Sequence, residues 1–235
     1  MIELMISEEI TLILPTKNHE KIIADNINSV INYLKNNFSN FEILVISNDS
    51  TKENIDLIKK YDSCQINHLV YKKSGKGFAV RKGIKNSSYK NILICDADFS
   101  VSVENLNNFF TEGKPLSGFV VGSRKLTDSE TISTPLIRKI SGGIFTLLTK
   151  YYLKVKITDT QCGFKLIDKS TFINCDKYFS DDFYFDVELF LLAKKDSVKV
   201  TEVPVRYVHN NKSSVNVFYD SLRMFFKLLN YKYKH

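Results

Sequence analysis

The sequence predicts an α/β fold: a mostly parallel central sheet with helices on both faces. Three observations carry that expectation. Short apolar runs alternate with segments whose apolar residues recur at helical spacing. The runs are apolar throughout, as in strands covered on both faces. Polar loops follow them at one end, the carboxyl end, where open parallel sheets bind ligands.

Residues 10–15 (ITLILP) form a short apolar run stopped by proline, and 19–36 follow with Ile22, Ile23, Ile27, Val30, Ile31 and Leu34 spaced for one helical face. Strand, loop and helix repeat as 41–46 (FEILVI) with 52–61, and as 66–71 with 78–86. A fourth strand, 91–95, ends at Asp96. The carboxyl-end loops are then 16–18, 47–50, 72–77 and 96–100. Beyond Asn105 the regularity fades: 118–122 (GFVVG) reads as a strand, 136–153 as a helix, 161–167 as a strand and 184–194 as a helix. Residues 198–208 (VKVTEVPVRYV) alternate and hold Pro204, which suits an edge strand or a bent one. Residues 215–231 close the chain as a helix.

With 235 residues, 43% of them hydrophobic and 25% charged, the chain can bury a substantial core, and one domain spanning 1–235 is expected. No window approaches the roughly 18 apolar residues of a membrane span, and the N-terminus lacks the signal-peptide pattern, so a cytoplasmic protein without a transmembrane segment is expected. Cys64, Cys95, Cys162 and Cys175 form no CxxC pair and are not grouped with the histidines, which argues against a zinc site or a disulfide framework. The net charge of +7 implies an anionic partner: nucleic acid, nucleotide phosphate or an acidic membrane surface. No nucleic-acid recognition motif accompanies it, so nucleic acid is set aside.

The segment ICDADFS places Asp96 and Asp98 one residue apart after a buried strand. In extended chain they face the same side and can offer oxygen to one hard cation, Mg²⁺ or Mn²⁺, whose shell is completed by water and phosphate. Alternatively, Asp98 or Ser100 caps a helix beginning near Ser102. Upstream, SGKGFAVR (74–81) sets glycines at a strand-to-helix junction, where free N–H groups can approach an anion with Lys76 and Arg81 adding charge. A tight turn with solvated basic residues fits the same letters. Downstream, Arg124 follows a strand and Arg138 lies on the next helix; forked guanidinium groups suit a departing diphosphate, and two surface arginines are the alternative.

Taken in order, PTKN (15–18), GKGFAVRKG (75–83), DADFS (96–100), GSR (122–124), DTQCGFK (159–165), FDVEL (185–189) and EVPV (202–205) resemble family 2 glycosyltransferases. Within that family the set is similar to dolichyl- or polyprenyl-phosphate sugar synthases, the glucosyl branch more than the mannosyl. The resemblance implies a GT-A fold and inverting, metal-dependent hexose transfer from a nucleotide diphosphate sugar to a polyprenyl phosphate. UDP-glucose is the expected donor and GDP-mannose the alternative. By matching position, Pro15, Thr16 and Asn18 would line the nucleotide pocket with Asn48, Asp49 and Lys76. Asp96 and Asp98 would hold the metal and diphosphate, Arg124 and Arg138 would contact phosphates, and Asp159 and Gln161 would lie beside sugar and acceptor, with Asp186 and Glu188 shaping the same wall. One departure stands out. Relatives usually read V-D-D-G-S where this chain has Ile46-Ser47-Asn48-Asp49-Ser50, so Asn48 stands at the base-reading position. An amide both donates and accepts, whereas a carboxylate only accepts.

A phosphate monoester is already ionised near neutral pH and can attack the anomeric carbon without a strong general base. A glycan hydroxyl acceptor would need one, with Asp159 or Asp186 as the candidates. A catalytically impaired nucleotide-sugar binding protein is the further alternative. For membrane contact, residues 214–235 read as a basic amphipathic helix with Phe218, Leu222, Phe225 and Leu229 on one face, suited to an anionic surface, or else packed on the core. Peripheral association with the cytoplasmic membrane face is expected, and 136–153 is a second candidate for it.

Overall fold

Successive residues of the central strands alternate between two apolar layers. Leu12, Leu14, Ile43, Val45 and Leu93 belong to one buried cluster, while Ile13, Leu44, Ile46, Ile92 and Ile94 belong to the other. A strand apolar on both faces is stable only between two helical layers. The computed structural model of the chain, which describes residues 6–63, 65–132, 157–173 and 179–209, has that layering.

The chain runs β1 (Ile6–Thr16), α1 (Glu20–Asn37), β2 (Phe38–Asn48), α2 (Lys52–Lys59), β3 (Ile66–Tyr71), α3 (Lys76–Asn86) and β4 (Asn91–Cys95). A 3₁₀ helix (Val103–Phe109) follows, then the short pair β5 (Phe110–Thr111) and β6 (Lys114–Pro115), and β7 (Phe119–Ser123) and β8 (Glu130–Ile132). After these come β9 (Phe164–Asp168), the single turn α4 (Lys169–Phe172), α5 (Phe185–Lys195), β10 (Val200–Pro204) and β11 (Arg206–Val208).

Among the described residues the main sheet has seven strands in the order β10-β7-β9-β4-β1-β2-β3. Strand β9 is antiparallel to β4 and β7, and the other pairings are parallel. Helix α1 and the 3₁₀ helix cover one face, through Ile23, Ile27, Val30, Leu34, Leu106 and Phe109. Helices α3 and α5 cover the other, where Phe119 meets Phe172 and Phe190 with ring centroids 5.5 and 5.0 Å apart. The chain moves outward from β1 to β3 and then returns through α3 to place β4 on the opposite side of β1. That reversal opens a crevice at the carboxyl ends of β1, β2 and β4, the usual ligand position in an open α/β sheet.

Three sequence expectations need correction. The strand expected over 161–167 begins only at Phe164, because Gln161 N–H turns back to the Asp159 carboxylate. The helix expected from Phe78 starts at Lys76. Residues 198–208 make two strands rather than one: β10 lies at the sheet edge, where the N–H that Pro204 lacks would face away from β7 and Val205 N–H still bonds the Ser123 carbonyl, and β11 then leaves to pair with β8. The helices expected over 136–153 and 214–235 lie outside the described residues.

Candidate active site

The crevice is lined first by the ends of β1 and β2. Pro15 and Thr16 are buried at the end of β1, and Asn18 turns in the left-handed region (φ 61°). Its Oδ1 accepts from Thr51 N–H at 2.9 Å, which ties the loop to the start of α2. Ser47 and Asn48 are buried in turn. The Ser47 hydroxyl lies 2.8 Å from Glu20 Oε1 and 2.8 Å from His68 Nε2, and Asn48 Nδ2 donates to the Gly75 carbonyl at 3.0 Å. Asp49 (φ 60°) points outward to Lys17 at 2.5 Å, and that bond holds its carboxyl below the usual range. Asn48 therefore braces the next loop, and Asp49 is the carboxylate presented to solvent.

That next loop carries Lys76. A Cβ on Gly75 would lie 2.2 Å from the Asp181 carbonyl oxygen, and one on Gly77 would lie 2.1 Å from that of Ser180, so only glycine lets segment 180–182 approach. Phe78 N–H donates to the Asp181 carbonyl. The glycines expected to leave N–H groups open to an anion thus serve backbone packing. Arg81, expected to add charge for an anion, is instead buried: it donates to the Phe179 and Ser180 carbonyls at 2.6 and 2.9 Å and to the Asp181 carboxylate. Lys76 is not a solvated base either, because its Nζ lies 2.5 Å from Asp96 Oδ1. Burial works against its charge, but Asp96, Asp186 and Asp98 outweigh burial and its pKa stands above the ordinary lysine value. Asp98 accepts from Ser100 N–H at 2.9 Å. It closes this turn rather than capping the 3₁₀ helix, whose N-cap is Ser102. Burial first, and the Asp96 charge second, push the Asp98 carboxyl above the usual range.

The far wall is the turn 157–163. Arg124 grips Asp159 with Nε and a terminal nitrogen at 2.6 and 2.9 Å, and its backbone N–H adds a third bond at 3.1 Å. Burial would raise the Asp159 carboxyl, yet the Arg124 guanidinium overrides it and holds the pKa down at about 2. The Arg124 guanidinium also lies over the Tyr207 ring, 5.2 Å from its centroid. Glu202 fixes the turn from behind, accepting from Thr158 N–H at 2.8 Å and from Asp159 N–H at 2.9 Å. Gly163 meets the carboxylate pair: its carbonyl accepts from Asp96 N–H, and a Cβ there would lie 1.9 Å from Asp96 Oδ2. Beneath this floor Asp186, 3% exposed, is bonded at 2.7 Å to Lys165, which is fully buried and also donates to the Cys162 carbonyl. Glu188 accepts from Ser180 N–H and its hydroxyl, at 2.5 and 2.8 Å.

Expected site residues thus gather at the carboxyl end of the sheet, but several are paired with each other. Arg124 and Asp159 form one unit, Asp186 is bound to Lys165, and Arg138 lies outside the described residues. Among the described residues no three His, Cys, Asp or Glu groups converge on a metal site. The neighbouring carboxylates Asp96 and Asp98 fit Mg²⁺ or Mn²⁺, provided the remaining oxygens come from water and a phosphate ligand.

A model of "Glycosyl transferase family 2" matches residues 11–175. The chain belongs to family 2 of the glycosyltransferases. Relatives of this family 2 glycosyltransferase include a dolichyl-phosphate beta-glucosyltransferase of Drosophila melanogaster, 28% identical over 93% of this chain and 72% of that protein. The Homo sapiens protein of the same description is 26% identical over 93% of this chain and 73% of its own length. In fold it is similar to mannosyl-3-phosphoglycerate synthase from Rubrobacter xylanophilus, with a TM-score of 0.74 at 14% identity, covering 97% of this chain and 76% of that one. It is similar too to glucosyl-3-phosphoglycerate synthase from Mycobacterium tuberculosis, solved with Mn²⁺, UDP and glucosyl-3-phosphoglycerate (TM-score 0.70, 14% identity, 95% and 79% coverage). The GT-A fold expected from the sequence is therefore present.

Sequence reasoning passed over Lys165, Glu202 and Tyr207 in this glycosyltransferase. Lys165 did carry a signal: a lysine flanked by Phe164, Leu166 and Ile167 in a strand buried on both faces requires an anionic partner. Glu202 lay inside a motif noted for resemblance alone. Nothing local marks Tyr207, whose contact with Arg124 joins elements distant in the chain.

Proposed function

We propose that this glycosyltransferase moves a hexose, glucose first, from a nucleotide diphosphate sugar to a polyprenyl phosphate of the dolichyl type, with inversion at the anomeric carbon. One observation carries the choice of acceptor: neither carboxylate that could serve as general base is available. Asp159 is held at about 2 by Arg124, and Asp186 is ion-paired with a fully buried lysine. A hydroxyl acceptor needs a base poised near the working pH, whereas a phosphate monoester brings its own anionic oxygen. The names of the relatives support the same acceptor and sugar.

In the reaction, an acceptor phosphate oxygen forms a bond to the anomeric carbon while the bond from that carbon to the donor diphosphate breaks, its electron pair leaving with the diphosphate. Asp96 and Asp98 would hold a Mg²⁺ or Mn²⁺ ion, which when bound neutralises charge on the departing diphosphate. Lys76, kept charged at the same place, supplies a further cation for it. Thr16, Asn18 and Asn48 are assigned to the nucleotide side. Gln161 is assigned to the sugar and acceptor side, on a turn that the Arg124–Asp159 unit keeps rigid.

The test is a panel of UDP-, GDP- and CDP-sugars with Mg²⁺ or Mn²⁺ and a short polyprenyl phosphate. Product is expected from UDP-glucose. Failure with every donor, while a glycan hydroxyl acceptor is turned over, would overturn the assignment. The net charge of +7 supports peripheral binding at the cytoplasmic membrane face. Flotation with anionic liposomes is expected, and no flotation even with acceptor present would remove that part of the proposal.

A further inference from the structure

Lys76 stands where the site needs a cation before any substrate arrives. It is the first residue of α3, its side chain is 16% exposed, and its Nζ touches Asp96 Oδ1 at 2.5 Å. The rings of Phe185 and Phe183 flank the ammonium at 5.5 and 5.9 Å, so water reaches it poorly. Burial acts against the charge, and Asp96, Asp186 and Asp98 preserve it. Asp186 is already bonded to Lys165, which leaves Asp96 as the direct partner of Lys76. The loop cannot swing the lysine away freely, since Gly75 and Gly77 are packed on 180–182 and Arg81 fastens that segment. Only the side chain itself can leave.

We infer that Lys76 is the resident counterion of the Asp96–Asp98 pair, occupying a carboxylate oxygen that a divalent cation requires and yielding it when a nucleotide diphosphate offers the ammonium a new anion. This rests on the reading of Asp96 and Asp98 as cation ligands. Its consequence is an order of affinity. The cation alone must displace a contact ion pair from a partly dry site, and binds weakly. With a diphosphate present, the ammonium has another partner, and the carboxylate is released. Cation and nucleotide then raise each other's affinity by the same factor, as linkage demands.

Mn²⁺ binding, followed by the loss of the free-ion signal in electron paramagnetic resonance with and without UDP, tests this. Lys76→Met keeps the length of the side chain without its charge. It is expected to bind Mn²⁺ in the absence of UDP at least about tenfold more tightly than the native protein, because the competing cation is gone. The benefit from UDP should shrink correspondingly. Lys17→Met removes one charge at the same end of the sheet, but from a lysine paired with Asp49, and should bind Mn²⁺ like the native protein. Equal tightening in both variants, or none in Lys76→Met, overturns the inference. Asp98→Asn separates it from the reading beneath it. Loss of Mn²⁺ binding with UDP present upholds the ligand assignment, and retention removes both. Lys76→Gln takes the place of Lys76→Met if thermal unfolding shows the latter not to be folded, with the same result expected and the same result decisive.

Discussion

Asp98 occupies a position that resists its own charge. Its carboxyl is raised by burial and by Asp96, so ionisation at neutral pH works against folding. Asp98→Asn keeps an acceptor for Ser100 N–H and removes that charge. It is expected to lower kcat/KM by about a hundredfold or more while leaving the melting temperature unchanged or higher. A steady-state assay alongside a thermal melt checks both halves. Asp159 is the opposite case. Its pKa falls from 3.8 to about 2 on folding, so it stabilises the fold above pH 4 or so and loses that contribution as pH falls toward 2. The difference amounts to roughly 2 kcal/mol. Asp159→Asn should flatten the acid limb of the stability curve over that interval and cost about 3–5 kcal/mol at pH 7, because it strands the buried half of Arg124. Urea unfolding between pH 2 and 7 reads both. These residues were legible as a set of carboxylates and arginines in carboxyl-end loops. Their pairing was not, since 35 residues separate Arg124 from Asp159 and nothing in either local segment names the other.

At the scale of elements, the turn before β9 couples the two walls of the crevice. Gly163→Ala would drive a methyl group into the Asp96 carboxylate, where a Cβ stands 1.9 Å from Oδ2. Displacing that side chain by even an ångström should cost about a hundredfold in kcat. The loss of stability should be modest, about 1–3 kcal/mol, as for a small overpacking change. The buried pair between β9 and α5 makes a sharper test. Lys165→Met and Asp186→Asn should each destabilise by about 3–5 kcal/mol, and the double variant by clearly less than the sum, because each single change leaves an uncompensated buried charge. Additive losses in denaturant unfolding would mean that the two side chains do not meet. The strand core 91–95 could be read to the residue, because a continuous apolar run between polar loops has no other stable use in a sheet covered on both sides. The start of β9 could not. Residues 161–163 look extended by composition, and only the bonds from Gln161 to Asp159 and from Asp96 to Gly163 turn them into a wall of the site.

For the whole molecule, the parallel α/β order was written in the alternation of apolar runs and helical periodicity. The antiparallel placement of β9 and the departure of β11 depend on contacts that span much of the chain. The crevice follows from the reversal of strand order between β1 and β4, and the proposed chemistry follows from the engagement of Asp159 by Arg124 and of Asp186 by Lys165. If the acceptor supplies the nucleophile, kcat/KM should rise with pH only through the second ionisation of the acceptor phosphate, near pH 6, and then stay level. A further rise at higher pH would indicate a base on the protein. The most direct measurement compares two acceptors that differ in one group: purified protein with UDP-glucose and Mn²⁺, offered a short polyprenyl phosphate or the matching polyprenol. Glucosylated product is expected from the phosphate and not from the alcohol. Product from the alcohol, with none from the phosphate, would contradict the assignment.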